Sequence, residues 1–139
     1  KATFDDWQSA VKNMKGEADF ILVGGYRKLH KSPGSAEFVN AKEVMTWTEA
    51  NSPVPVIGMN TFNSEEGAML SVGVSPYEQG EVAATMAIKL IEGVDIKSLP
   101  IQTSSQYVVA VRKSALDARN ISIPEVFEAY ARASNNYFN

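Results

Sequence analysis

The sequence contains no cysteine and a single histidine, His30, and these two shortages exclude several kinds of chemistry. Without cysteine the chain can form no disulfide, thiolate zinc site or thiol nucleophile, in either redox compartment. A Ser-His-Asp triad would have to use His30, which lies in a polar stretch of lysine, serine, proline and glycine. No G-x-S-x-G motif occurs, and "PGSAE" around Ser35 has the composition of a turn. We therefore expect His30 to be a solvated loop residue, and we predict no catalytic residues and no enzyme.

Basic stripes, long apolar runs and metal-binding motifs are also missing. The net charge is −3, so nucleic acid is not an expected partner of this segment. No apolar run approaches the length of a membrane span. The paired carboxylates Asp5–Asp6 and Glu65–Glu66 do not make metal sites by themselves, because neighbouring residues of a helix point in different directions. We expect both pairs to lie at helix starts, and we predict no metal and no cofactor.

The residues that are present suffice for one globular domain with a core. The 139 residues are 45% hydrophobic and 21% charged, which is typical of soluble domains. Continuous apolar runs at Asp19–Gly25 and Pro53–Met59 indicate strands buried on both faces. Helical spacing of apolar residues predicts helices over residues 4–15 and 41–51, the second capped by Asn40.

The stretch "VGVSPYEQGEVAATMAIKLIEG", Val72–Gly93, is the most complete connection from a strand to a helix. Ser75 is the predicted cap, Pro76 takes the first helical position, and Glu78 is predicted to close a capping box. Gly93 suits the end of the helix. A broad apolar face is formed by Val82, Ala83, Met86, Ala87, Leu90 and Ile91.

The remaining elements complete an alternating order. A loop is predicted over residues 60–68, a third strand around 69–74 and a fourth over 106–112. A short helix follows over 113–119, and Pro124 opens a last helix. The order α-β-α-β-β-α-β-α-α predicts an α/β fold with a mostly parallel, Rossmann-like sheet flanked by helices.

Two polar and aromatic loop tips follow the first two predicted strands. In parallel sheets, ligands bind beyond the carboxyl ends of the strands. An aromatic platform, a fixed cation and short hydrogen-bonding side chains suit the capture of a small molecule. The same residue types also occur in ordinary loops, and glycines after a strand can simply turn the chain. The predicted ligand-binding residues are Gly25, Tyr26, Arg27, Asn60, Thr61 and Phe62.

Three segments, taken in their order and spacing, are similar to a known family. They are "ADFILVGGY", "PVIGMNTFNSEEGAMLSVGVSPYEQGEVAATMAIKLIEG" and "LPIQTSSQYVVAVRKSALDARNISIPEVFEAYA". Together they resemble the C-terminal half of ABC-type periplasmic substrate-binding proteins of the type I class. The matching positions are Pro55, Val56, Gly67, Gly73, Tyr77, Gly80, Ala83, Ala84, Ala87, Gly93, Pro100, Ala115, Ile121, Ile123 and Pro124.

The resemblance implies one lobe of a two-lobed clamshell that traps its ligand between the lobes. Residues 1–139 would form a single α/β domain, the C-terminal ligand-binding lobe. Helix 76–92 would normally pack on the N-terminal lobe, so here it is expected to dock on its own lobe or to join a second chain as a homodimer. The chain begins at Lys1 rather than at methionine, and we therefore expect a processed or truncated chain.

The function implied by the resemblance is that of a periplasmic or otherwise extracytoplasmic bacterial solute-binding protein. It would capture a small molecule for an ABC importer and have an ABC permease as its partner. Two alternatives share the fold: the ligand-sensing domain of a membrane signalling protein, and the effector domain of a transcription regulator. A small phosphate-handling or receiver-like enzyme would need acidic residues at strand ends, where the chain has Gly25 and Asn60. Arg27 favours a carboxylate or phosphate group in the ligand.

Overall fold

The computed structural model describes residues 2–139, and its strands form a five-stranded sheet in the order β1-β2-β3-β4-β5. The strands are β1 Ile21–Val23, β2 Val56–Gly58, β3 Leu70–Val74, β4 Tyr107–Arg112 and β5 Tyr137–Phe138. The helices are α1 Phe4–Lys12, α2 Ala41–Asn51, α3 Thr61–Glu66, α4 Pro76–Ile91, α5 Lys113–Ala118 and α6 Glu125–Ala133, with a 3-10 turn at Ile96–Ser98. The prediction of an α/β fold is confirmed.

One reversal interrupts an otherwise parallel sheet. β1, β2 and β3 run parallel, and β5 runs parallel to β4. Just before β3, the Met69 carbonyl accepts a hydrogen bond from the Arg112 amide at 3.0 Å. Just after β3, the Ser75 amide donates to the Gln106 carbonyl at 2.9 Å. Residues of β4 thus pair with β3 in reverse order, which makes β4 antiparallel to β3. The other strand pairs are parallel, so the prediction of a mostly parallel sheet is confirmed.

The chain divides into two compact units, which are described separately. The first comprises the residues up to Gly73 together with Val109–Asn139, and the second comprises Val74–Val108. The first unit holds both apolar cores, and the second holds α4. The expectation of a single α/β domain over residues 1–139 stays a prediction.

The larger core of the first unit lies between β1, β2 and the helices α1 and α2. The Trp7 indole nitrogen donates to the Thr48 hydroxyl at 2.8 Å and so links α1 to α2. Phe4 and Trp47 add an edge-to-face ring contact at 5.7 Å between the same helices. Both tryptophans therefore pack between these two helices. The buried cluster consists of Val23, Tyr26, Leu29, Val39, Val44, Met45, Val56 and Ala68.

A second core joins β4 to the last two helices. Its buried members are Met69, Val111, Ala115, Leu116 and Ala131. Arg119, at the end of α5, forms an ion pair with Glu49 of α2, and both side chains are largely buried. The other carboxylate oxygen of Glu49 accepts the Met69 amide at 2.9 Å. This ion pair therefore holds α2, α5 and the start of β3 together.

Helix α3 lies within a segment that the sequence predicts as a loop, and that prediction is wrong. The Asn60 amide donates to the Asn63 side chain at 2.8 Å and closes the first turn. Small residues of the sheet then allow a close approach: a Cβ at Gly58 would lie 2.3 Å from the Asn63 Cβ. A six-residue helix has too few turns to show a period, so its packing on Gly58 decides its structure.

Two further expectations about charged or titratable residues are wrong. His30 is half-buried, its backbone exchanges hydrogen bonds with the neighbours of Thr3, and its ring lies 4.7 Å from that of Phe38. It is therefore not a solvated loop residue. Glu65–Glu66 ends α3 instead of starting a helix, whereas Asp5–Asp6 lies in the first turn of α1 as expected.

In the second unit, the start and end of α4 follow the predicted pattern. The Ser75 hydroxyl accepts the Glu78 amide at 3.3 Å, Pro76 occupies the first turn, and Gly93 follows the helix with φ of 90°. Glu78 does not close a capping box, and that prediction is wrong. Its carboxylate accepts the amides of Ser105 at 2.9 Å and Gln106 at 2.8 Å. Within residues 2–139, no helix is long and apolar enough to span a membrane.

Candidate functional site

The two predicted loop tips meet at the carboxyl edge of the parallel strands. The Met59 amide, just after β2, donates to the Val23 carbonyl at the end of β1 at 3.0 Å. Gly24 packs beside Met59, since a Cβ at Gly24 would lie 3.7 Å from the Met59 sulfur. Gly25 follows at the surface, and Asn60 begins α3. The structure thus brings together two segments that are 35 positions apart in the sequence, as parallel strands require.

Arg27 is exposed at this edge and covers the ring of Phe62, which is partly buried against the core. The Arg27 guanidinium lies over the Phe62 ring, 4.1 Å from its centroid, which is a cation–π geometry. Half of the Arg27 side chain remains exposed, at 52%. A ligand that approaches this edge meets a fixed cation and the rim of an aromatic ring.

Glu66 is not among the predicted site residues, yet it links the two tips. One carboxylate oxygen pairs with the Arg27 guanidinium and the other accepts the Tyr26 hydroxyl. Phe62 and Glu66 are four residues apart, so they lie on the same face of α3. That spacing could have identified Glu66 if the helix had been recognised.

Tyr26 supports the site from the core. Its ring is 2% exposed and lies 6.5 Å from the Phe62 ring, tilted by 46°. Burial, reinforced by the Glu66 carboxylate, raises the pKa of Tyr26 well above its ordinary value. The hydroxyl therefore stays protonated as a donor to Glu66. Tyr26 thus fixes the carboxylate that holds Arg27.

Asn60 and Thr61 occupy the first turn of α3 and are half-buried. The backbone amide of Asn60 donates to the side-chain oxygen of Asn63, and the backbone carbonyl of Asn60 accepts from the backbone amide of Asn63 at 3.0 Å. These two hydrogen bonds close the first turn of α3, which carries Phe62.

A cavity of about 490 Å³ lies between α2, α3 and α5, and Glu66 is among its lining residues. Its arginines are already engaged within the protein. Arg119 pairs with Glu49, and Arg112 donates to the carbonyls of Ser64 at 3.0 Å and Glu65 at 2.9 Å. Nowhere in residues 2–139 do three or more acidic or histidine side chains gather as a metal site would require. Arg27 is also paired, with Glu66, but its side chain is 52% exposed whereas that of Arg119 is 16% exposed. The carboxyl edge therefore remains the better candidate.

Comparison with known proteins adds a family match that covers nearly the whole chain. A family model described as "ABC transporter substrate binding protein" matches residues 2–134. No curated protein sequence matches the chain.

Solved structures with a similar fold include a conserved domain protein from Vibrio cholerae O1 biovar El Tor, with a TM-score of 0.67 and 24% identity over 99% of this chain and 42% of that one. Another is the ABC domain in complex with L-Trp from Streptococcus pneumonia, with a TM-score of 0.64 and 19% identity over 92% of this chain and 41% of that one. A third is the ligand-free, open form of a substrate binding protein with adhesive properties from Clostridium difficile, with a TM-score of 0.55 and 18% identity, covering 88% of this chain and 38% of that one. The chain thus spans about two fifths of these structures, which share its fold.

Proposed function

Because the chain belongs to the family of ABC transporter substrate-binding proteins, we propose that it forms one lobe of an extracytoplasmic bacterial solute-binding protein. The protein captures a small molecule for an ABC importer and delivers it to a permease in the membrane. It acts by binding and not by catalysis. The observation that carries the proposal is the position of Arg27 over Phe62 at the carboxyl edge of the sheet, where ligands of such sheets bind.

The proposed ligand site keeps the six residues that the sequence suggests and adds Glu66. The Arg27 guanidinium binds a carboxylate of the ligand with charge-assisted hydrogen bonds, while Phe62 packs against an apolar or aromatic group. The site residues are Gly25, Tyr26, Arg27, Asn60, Thr61, Phe62 and Glu66.

The charge balance of the site favours a zwitterionic ligand, such as an amino acid. Arg27 and Glu66 together carry no net charge, so a ligand with two negative charges would be poorly matched. An amino acid offers a carboxylate to Arg27 and an ammonium to the side of Glu66. The related Streptococcus pneumonia domain, solved with L-Trp, supports this ligand class.

The site is pre-organised for capture. Tyr26 holds Glu66, Glu66 holds Arg27, and Arg27 lies over Phe62. A side chain that is already fixed loses little conformational entropy when the ligand binds, and this raises the affinity without new contacts.

The chain offers a matched control for the test of this function. Tyr137, Glu128 and Arg132 form a second tyrosine–glutamate–arginine group, with Arg132 lying 3.5 Å from the centroid of the Tyr137 ring. The Arg132 side chain is 58% exposed, close to the value for Arg27. This group lies on α6 and β5, away from the carboxyl edge of β1 and β2.

Calorimetric titration with aromatic and aliphatic amino acids should therefore separate the two arginines. Arg27→Met keeps the stem and removes the charge, and we expect it to weaken binding by about tenfold or more, since a charge-assisted hydrogen bond contributes roughly 1.5–3 kcal/mol. Arg132→Met should bind as the unmodified chain does. Equal losses in both variants, or no heat with any ligand of the panel, would contradict the proposal.

A further inference from the structure

Helix α3 carries two residues of the proposed ligand site on very few turns. Phe62 lies in its first turn, and Glu66 is its last residue. A helix of six residues is not stable in isolation, so contacts with the rest of the first unit determine where it lies. The ends of helices fray first. The position of the Glu66 carboxylate therefore depends on how the end of α3 is held.

The Arg112 guanidinium holds the end of α3. Arg112 is the last residue of β4, and its Nε donates to the Ser64 carbonyl at 3.0 Å while its Nη2 donates to the Glu65 carbonyl at 2.9 Å. The last carbonyls of a helix lack partners within the helix, and the planar fork of an arginine can satisfy two of them at once. Its positive charge also suits the negative end of the helix.

Arg112 is also held on the side away from α3. Its Nη1 donates to the Asn139 carbonyl at 2.7 Å, and the guanidinium carbon lies 5.5 Å from the centroid of the Phe138 ring. Arg112 and Phe138 are partners in the parallel register of β4 and β5. The sheet therefore fixes the guanidinium, and the guanidinium fixes the last turn of α3.

Glu66 connects this cap to the ligand site. The Glu65 carbonyl belongs to the peptide group that precedes Glu66, and the carbonyl of Glu66 itself accepts the Thr46 hydroxyl at 3.2 Å. Both peptide groups beside Glu66 are thus hydrogen-bonded to other elements of the first unit. From this backbone position, the Glu66 carboxylate pairs with Arg27 and accepts the Tyr26 hydroxyl.

We propose that Arg112, assisted by Thr46, is a positioning residue of the ligand site and acts on Arg27 through the end of α3 and Glu66. The inference rests on the function proposed above, because Arg27 and Glu66 belong to that site. Lysine cannot take the place of Arg112, since an ammonium is a point charge and offers no fixed fork for two successive carbonyls.

The ring current of Phe62 gives a readout that requires no ligand. The Arg27 guanidinium lies 4.1 Å from the ring centroid, so the side-chain protons of Arg27 resonate upfield in the NMR spectrum. Arg112→Lys should move these resonances towards the values of a free arginine. Arg119→Lys is the matched control and should leave them unchanged. Arg119 donates to the Glu49 carbonyl at the end of α2, at 2.6 Å, and α2 contributes no residue to the ligand site.

Thr46→Val is a second test that leaves the shape of the side chain nearly unchanged. It removes the hydroxyl that holds the Glu66 carbonyl, and it should move the Arg27 resonances in the same direction by a smaller amount. Unchanged Arg27 resonances in Thr46→Val and Arg112→Lys overturn the proposal, whether or not an amino acid binds.

Titration calorimetry with amino acids separates positioning from a general loss of stability. Arg112→Lys should weaken binding severalfold in the unmodified chain. It should have little further effect in the Glu66→Gln background, where the ion pair with Arg27 is already broken. Additive losses, or equal movements of the Arg27 resonances in Arg112→Lys and Arg119→Lys, overturn the proposal. If the resonances move as expected but no amino acid binds, the positioning role is supported and the proposed function is contradicted.

Discussion

Tyr26 shows why single residues of the site were only partly predictable. A tyrosine that follows a strand by a few residues, at the carboxyl edge of the sheet, predicts an aromatic surface for a ligand. Its ring instead fills the core, because its hydroxyl finds a partner in Glu66, 40 positions along the chain. Sequence position determines that such a residue stands at the edge of the sheet. The direction of its side chain depends on a distant partner that local sequence does not reveal.

Tyr26→Phe tests the positioning role of the hydroxyl. The variant keeps the ring, leaves Glu66 with one donor fewer and loosens Arg27, so we expect the ligand affinity to fall severalfold. The matched change, Tyr137→Phe, removes a hydroxyl that donates to Glu128 at 3.1 Å. Each variant should lower the free energy of unfolding by about 1–2 kcal/mol. If both variants lower stability and neither lowers the affinity, Tyr26 is purely structural.

At the scale of elements, the sequence predicts those that carry their own end signals. α2 begins after Asn40 and α4 begins after Ser75, because their caps and first-turn residues are local features of the sequence. β5, with two residues, and α3, with six, are too short to show a period. Both form through packing on the rest of the first unit, which periodicity cannot reveal.

Because α3 approaches the sheet closely at Gly58, we expect a larger residue at this position to destabilise the fold. Gly58→Ala would place a methyl group 2.3 Å from the Asn63 Cβ and 2.5 Å from the Ser71 hydroxyl, so we expect a destabilisation of about 1–3 kcal/mol. Gly25→Ala, at a position with no heavy atom within 4 Å, should leave the midpoint of urea unfolding almost unchanged. Equal midpoints for the two variants would show that α3 does not pack on Gly58.

The start of α4 predicts a pH-dependent contact in the second unit. The hydroxyl of Ser105 and the amides of Gln106 and Ser105 donate to Glu78, and these hydrogen bonds hold its pKa below the usual range. A lowered carboxyl pKa stabilises the folded state above the pKa of the unfolded chain, about 4.3, and this contribution is lost as the pH falls through the folded value.

We therefore expect the Ser105 amide to become less protected from hydrogen exchange in acid, after correction for the intrinsic rate. Glu78→Gln should remove this dependence, whereas Glu81→Gln, on the same helix, should keep it. Protection of Ser105 that does not change with pH in the unmodified chain would contradict the assignment.

At the scale of the whole molecule, the alternation of strands and helices was sufficient to predict the fold class. The reversal of β4 was not predictable in the same way, because strand direction depends on the path of the chain through residues 75–106 and not on the composition of the strand. The same segment makes up most of the second compact unit, Val74–Val108. The spacing of apolar residues along the sequence nevertheless predicts the broad apolar face of α4.

Ligand capture at the carboxyl edge of β1 and β2 is the central claim, and amide chemical-shift mapping during a titration with L-tryptophan and other amino acids tests it most directly. We expect saturable shifts confined to residues 24–27 and 59–66, and their loss in Arg27→Met. Shifts concentrated at the cavity near Arg112 and Arg119, or no saturable shift with any amino acid, would contradict the claim.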